Sequence, residues 1–256
     1  MKLFNRELGS GEALIILHGL FGSSDNWQSL AKVYAEKYRV ILIDQRNHGR
    51  SPRALSNSYE DMAADLLELM DDLDITSAHL LGHSMGGKTV MRFAQLYPQR
   101  VKSLMVSDIA PIAYPPHHLD VLKAFHAINL NELQSRKDAE DIVAIHLPDP
   151  AVALFILKNL YRDENQRFAW RVNLPVLEAE MPKILEALPL EKVNLPCIFF
   201  RGQRSGYINF ETIPLIKAQF PQAVVETIND SSHWIHAENP VEFSERLLHF
   251  LDSLKP

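Results

Sequence analysis

Two hydrophobic rhythms alternate along this chain. The first is the short apolar run with little or no polar alternation. It recurs in Ala13-Leu14-Ile15-Ile16-Leu17, Val40-Ile41-Leu42-Ile43-Asp44, Ser77-Ala78-His79-Leu80-Leu81 and Ser103-Leu104-Met105-Val106-Ser107-Asp108, and again in Cys197-Ile198-Phe199-Phe200 and Val224-Val225-Glu226-Thr227-Ile228. Such runs predict strands of a parallel sheet, most of them covered on both faces. The second rhythm is a recurrence at three to four residues. Trp27, Leu30, Val33 and Tyr34 follow a helix start at Asp25 or Asn26, and Met62, Leu66, Leu69 and Leu73 follow Ser58, with Asp61 three residues on as in a capping box. Phe243, Leu247, Phe250 and Leu251 follow Asn239-Pro240. These are core-facing stripes of amphipathic helices. Strand and helix in repeated succession predict an α/β fold, a mostly parallel central sheet flanked by helices. Lys2–Glu7 and its neighbours are read as one or two antiparallel edge strands.

From about Ile112 to Leu188 the rhythm breaks. No strand is predicted there. Amphipathic stretches run instead through Leu119, Leu122, Phe125 and Ile128, through Val152, Phe155, Ile156, Leu157 and Leu160, and through Val176, Leu177, Met181, Ile184 and Leu185. Helices inserted between two strands of a parallel sheet sit over its carboxyl ends, where ligands of α/β proteins bind. The chain is therefore divided into a core of residues 1–111 and 189–256 and a helical cap of residues 112–188.

Composition narrows the function. At 256 residues the chain suits one full-sized core with an insertion. A net charge of −6 gives no basic footprint for nucleic acid, so that partner is not expected. No apolar run approaches the roughly 18 residues of a membrane span, so no stable membrane insertion is expected. Met1–Glu7 lacks the apolar core of a signal peptide, and the single Cys197 cannot form an internal disulfide. Both point to a cytoplasmic protein; a monomer or small homo-oligomer is expected. His117-His118 has no further ligands at metal spacing, and no metal site is read there.

The chemistry starts at Gly82-His83-Ser84-Met85-Gly86, a G-x-S-x-G stretch between a predicted strand and a helix beginning near Gly87 and ending before Pro98. A serine on such a strand-to-helix turn is exposed at the end of the sheet as a nucleophile. A general base is needed beside it, and His233, just past the last strand in Asn229-Asp230-Ser231-Ser232-His233-Trp234, is the candidate; His236 is its nearest competitor. His18-Gly19-Leu20-Phe21-Gly22 follows directly on the first core strand, a loop able to aim backbone N–H groups at an oxyanion. Its expected donors are Leu20 and Met85, the residue after the serine. His18 is read as a structural hydrogen-bonding group, and Arg46, Asn47 and His48 as braces of the loop after their strand.

With His18-Gly19, Asp44 to Ser51, Gly82 to Gly86 and His233 with Glu238-Asn239-Pro240, nearly the whole chain resembles the α/β-hydrolase superfamily. His18 to Ser23, Arg46-Asn47-His48-Gly49, Gly82 to Lys88 and Asp108-Ile109-Ala110-Pro111 are similar, more narrowly, to small bacterial acyl esterases of the YbfF type. The resemblance implies a serine hydrolase of small-molecule acyl esters or thioesters, acting beneath a helical cap without metal or organic cofactor. Carbon–carbon bond hydrolysis and cofactor-free perhydrolysis use the same machinery, and a small-molecule receptor on this fold is the reading from another class.

The acid departs from the superfamily pattern. It is usually found after the strand Cys197–Phe200, but that loop reads Arg201-Gly202-Gln203-Arg204-Ser205-Gly206-Tyr207, with Ser205 where the carboxylate is expected. Asp108, at the end of the strand that follows the serine's helix, is the substitute, as in the resembling esterases. Ser205 is assigned an auxiliary hydrogen bond to the Asp108–His233 pair, and Asp230 and Asp120 are weaker alternatives. The aromatic residues Phe125, Phe155, Phe168 and Trp170 fit either an acyl pocket or packing within the cap. Arg162, Arg167 and Arg171 fit either solvated charge or contacts to the phosphate or carboxylate of a coenzyme A-like substrate.

Overall fold

A computed structural model describes residues 1–255. Its centre is a seven-stranded sheet, built from β1 (Asn5–Leu8), β2 (Ala13–Leu17), β3 (Arg39–Ile43), β4 (Ala78–His83), β5 (Val101–Ser107), β8 (Cys197–Gly202) and β9 (Ala223–Ile228), with a two-stranded hairpin of β6 (Leu160–Arg162) and β7 (Phe168–Trp170) apart from it. The strand order is β1-β3-β2-β4-β5-β8-β9. Only β1 runs antiparallel, pairing at the edge with β3.

The unbroken apolar runs have the expected cause. Along β2, Ile15 and Leu17 face one layer and Leu14 and Ile16 the other; β3 divides Ile41 and Ile43 from Val40 and Leu42 in the same way. The first layer holds Met62, Leu66 and Leu69 of α2 (Tyr59–Asp72) and Val90, Phe93 and Ala94 of α3 (Met85–Leu96). The second holds Leu30 and Tyr34 of α1 (Gln28–Tyr34) and Phe243, Leu247 and Leu251 of the final helix, Pro240–Ser253. With a helix layer on each face there is no solvent side to demand polar alternation. Ser58 caps α2 by accepting the Asp61 N–H, and Asn239 caps the last helix by accepting that of Glu242. The first helical segment differs from its prediction. It opens one or two residues earlier, as a 3₁₀ turn over Ser24–Trp27 that leads into α1, where the Ser23 N–H donates to Asn26 Oδ1 at 2.8 Å.

Between β5 and β8 lie α4 (Leu119–Ala127), α5 (Arg136–His146), α6 (Pro150–Leu157), the β6–β7 hairpin, α7 (Leu174–Ala179) and α8 (Met181–Leu185). The hairpin corrects the expectation of a strand-free segment. Its strands are three residues each, too short to show a period, and Gln166 takes a left-handed φ of 61° in the turn. The third amphipathic stretch is two helices: Pro182 lacks the N–H needed to continue α7. The two ends of the insertion meet, with the Tyr114 N–H donating to the Leu185 carbonyl at 2.8 Å and the Leu188 N–H to that of Pro111 at 3.2 Å.

Candidate active site

Five neighbouring parallel strands, β2, β4, β5, β8 and β9, deliver the candidate residues at their carboxyl ends. Ser84 stands between β4 and α3 with φ 52° and ψ −118°, a conformation that costs about 1–3 kcal/mol in a residue with a side chain. The turn is held by the Ser84 N–H donating to the Ser107 carbonyl at 3.0 Å and by the Lys88 N–H donating to the Ser84 carbonyl at 3.1 Å. It is also so tight that the flanking glycines have no room for a side chain. A Cβ on Gly82 would lie 2.2 Å from the Gly86 carbonyl oxygen, and one on Gly86 2.6 Å from the carbonyl oxygens of Leu17 and His18. The spacing of the motif is thus a record of strand-to-helix contact.

The loop after β2 is held from behind by two buried imidazoles. His18 Nδ1 donates to its neighbour's carbonyl, Gly19 O, at 2.8 Å, leaving Nε2 to accept the Gln45 N–H at 3.0 Å. His48 Nδ1 donates to the Arg46 carbonyl at 2.8 Å, leaving Nε2 to accept the Phe21 N–H at 3.1 Å. Burial lowers both rings from their ordinary values, His48 to about 3, so both serve as neutral acceptors. Among the described residues, neither the Leu20 N–H nor the Met85 N–H finds an acceptor, and both residues border the space beside Ser84. His18 and His48 are thus both structural. Asn47 ties this region to the insertion by accepting the Asn173 N–H at 2.8 Å, while Arg46 pairs with buried Asp65 at 2.7 Å.

Across the sheet, His233 Nδ1 lies 2.8 Å from Asp108 Oδ2. The carboxylate can only accept, so Nδ1 carries the proton and the neutral ring keeps its lone pair on Nε2. Asp108 is fully buried; its Oδ1 accepts the Gly202 N–H at 2.9 Å, and its Oδ2 also accepts the Ser205 hydroxyl. Ser205 therefore contacts Asp108 directly and reaches the histidine only through it. Asp230 and Asp120 lie elsewhere, the first exposed beside Arg204 and the second exposed beside Lys123. His236 is buried with its ring stacked on Trp27 at 4.1 Å.

Two neighbours of His233 carried no assignment from the sequence. His83 Nε2 donates to the His233 carbonyl at 2.9 Å, fixing the backbone of the loop. Tyr207 stacks its ring on the His233 imidazole, 3.9 Å between centroids and 17° between planes. His83 was visible as the second residue of the G-x-S-x-G motif; Tyr207 carried no signal beyond its place near Ser205.

Ser84 and His233 share a cavity of about 200 Å³, floored by Gly19, Leu20 and Phe21 and covered by Val121, Val152, Phe155 and Ile156 of the insertion. Of the insertion's aromatics, Phe155 faces this space. Phe125 and Trp170 pack edge-on against each other, and Phe168 lies beneath Arg162. Arg167 pairs with Asp163, and Arg171 lies over Tyr161. Lys88 donates to the Glu186 carbonyl at 2.5 Å, linking α3 to the end of the insertion, and burial pulls its ammonium down to about 7. No cluster of three or more metal-ligating side chains occurs among the described residues, and no helix there is long and apolar enough to cross a membrane.

An alpha/beta hydrolase fold family matches residues 12–129. Esterase YbfF of Escherichia coli (strain K12) is 37% identical over 228 residues, covering 89% of this chain and 88% of its own. The sn-1-specific diacylglycerol lipase ABHD11 of Mus musculus is 36% identical over 248 residues, covering 93% and 80%. Among solved structures, a marine microorganism esterase matches with a TM-score of 0.95 and 41% identity, over 97% of this chain and 99% of its own. The chain belongs to the α/β-hydrolase family. Within it, this is an esterase/lipase-like hydrolase.

Proposed function

We propose that this carboxylic ester hydrolase cleaves small acyl esters or thioesters through a Ser84–His233–Asp108 triad and an acyl-enzyme intermediate. The observation that carries this reading is the 2.8 Å Asp108–His233 bond, which leaves Nε2 as the base in the cavity that Ser84 also lines. Nε2 takes the Ser84 proton as Oγ attacks the substrate carbonyl, and buried Asp108 stabilises the imidazolium. The unpartnered N–H groups of Leu20 and Met85 receive the oxyanion. His233 then protonates the departing alcohol or thiol, and water repeats the sequence on the acylated serine. No step requires a metal or an organic cofactor. Residues 112–188 act as the cap, closing an apolar wall over the reacting carbonyl and strengthening each of these polar interactions by excluding water.

The test is a stopped-flow burst with p-nitrophenyl esters, run beside the matching acyl-coenzyme A thioesters. A burst stoichiometric with enzyme, together with mass-spectrometric recovery of the acyl group on Ser84, is the expected result. Turnover with no acylated Ser84 under rapid quench defeats the mechanism, and ligand-induced stabilisation without turnover returns the receptor reading.

A further inference from the structure

Tyr207 is fastened at several points around the triad. Its N–H donates to Ser205 Oγ at 3.2 Å, and Ser205 in turn donates to Asp108. Its carbonyl accepts the Tyr114 hydroxyl at 2.8 Å, and that oxygen accepts the Ala110 N–H at 2.9 Å, two residues past Asp108. Its own hydroxyl meets His117 Nε2. His117 Nδ1 faces the Pro115 carbonyl at 2.7 Å and so carries the ring proton, which makes Nε2 the acceptor and the tyrosine the donor. Burial raises the phenol above its ordinary value, keeping that donor protonated. The ring is therefore held from the core through its backbone and from the insertion through its hydroxyl, nearly parallel to His233.

The surroundings give this stacking electrostatic weight. His233 is faced by Asp108 from the end of β5, Ser205 and Tyr207 from the loop after β8, His83 from β4 with its ring 4.8 Å away, His236 from the short helix Ile235–Glu238, and His118 from the insertion. Burial lowers His83, His118 and His236, so all three stay neutral and supply no countercharge. An imidazolium formed here has one carboxylate at its edge and one aromatic face against its plane. A π face attracts such a cation more strongly than it attracts the neutral ring.

We infer that Tyr207 is a positioning residue for His233, its ring setting the imidazole plane and its π face stabilising the imidazolium formed on proton transfer. The inference rests on the triad of the proposed function, and the two fail separately: an active Ser84→Ala removes the triad, whereas Tyr207 variants are judged only against an enzyme whose Ser84 reacts.

The experiment compares Tyr207→Phe and Tyr207→Leu in the full chain, with p-nitrophenyl butyrate as substrate and fluorophosphonate labelling of Ser84 to count assembled sites. In Tyr207→Leu, kcat should fall about ten- to thirtyfold with KM changed less than about threefold, and the acid limb of kcat/KM should move to lower pH by about half to one unit. Tyr207→Phe keeps the face and should stay within about threefold of the parent, its acid limb unmoved. An unmoved limb in Tyr207→Leu overturns the inference, as does a Phe variant as impaired as the Leu variant. Should Tyr207→Leu fail to fold, Tyr207→Phe and Tyr207→Trp decide: both retain a π face, and a tenfold or greater fall in both overturns the role of the ring.

Discussion

The ring of His48 accepts the backbone N–H of Phe21 at 3.1 Å, across the base of the loop that carries Leu20. That bond sets the Phe21 peptide, whose φ of 60° is itself in the left-handed region. His48→Ala leaves a buried N–H without an acceptor, costing about 1–3 kcal/mol of stability, and frees the loop to tilt its donors away from the oxyanion. The expected result is a kcat lowered about ten- to a hundredfold with little change in KM, and slower fluorophosphonate labelling. Parent-like kcat and labelling in a folded variant would show that the loop holds its shape without His48.

Ser84→Ala should be folded and nearly inactive. The backbone strain at position 84 belongs to any residue with a Cβ, so alanine retains it while glycine relieves part of it. Ser84→Gly, also inactive, is expected to melt about 2–4 °C above Ser84→Ala, corresponding to about 1 kcal/mol. Thermal unfolding of the two variants side by side measures this, and a lower melting temperature for the glycine variant contradicts the strain.

Asp108→Asn preserves shape but removes the charge and can present the wrong hydrogen-bonding pattern to His233 Nδ1. By analogy with serine-protease triads, kcat should fall by up to about 10⁴. Ser205→Ala removes one neutral donor from the same carboxylate and should cost roughly tenfold. Steady-state kinetics ranks them; a severe Ser205→Ala beside a mild Asp108→Asn would overturn the assignment of the acid.

Acid should weaken the fold well before its carboxylates titrate. Burial holds His48, His118 and His236 at about 3, below the 6.5 of an ordinary imidazole. For a depressed histidine the unfolded chain binds the proton first, so this stability is complete above pH 6.5 and declines as pH falls toward 3, by about 1.4 kcal/mol per pH unit for each ring. Urea unfolding at intervals from pH 8 to 5 isolates the effect from the carboxylates. A free energy that stays flat between pH 6.5 and 5 would mean these rings are solvated.

Much of the architecture was legible because burial on two sheet faces leaves a plain mark: Ala13–Leu17 and Cys197–Phe200 are apolar at every position. Ser84 was legible because Gly82 and Gly86 are imposed by contact within a few residues. The β6–β7 hairpin was not, since three-residue strands show no period and its left-handed turn residue is Gln166 rather than glycine or asparagine. Asp108 was brought into view by the missing carboxylate at Ser205. Tyr207 and His83 were opaque for a different reason. Each acts on His233 through a contact between distant parts of the chain, 150 residues apart in the case of His83, and local pattern does not encode it.

The paired ends of the insertion also make the fold modular. Because Tyr114 meets Leu185 and Leu188 meets Pro111, the sheet experiences everything between them as a closed stem. Lengthening, shortening or exchanging the segment above that stem adds no new loop closure between β5 and β8, and loop entropy rises only slowly with length in any case. A transplanted segment with compatible ends should therefore reshape the chamber over Ser84 while leaving the strand register intact, provided that it reproduces the contacts seating it on the core, among them Asn173 on Asn47, Asn159 on the Phe21 carbonyl, Arg53 on the Trp170 carbonyl, Tyr59 on the Ile184 carbonyl and His117 on Tyr207.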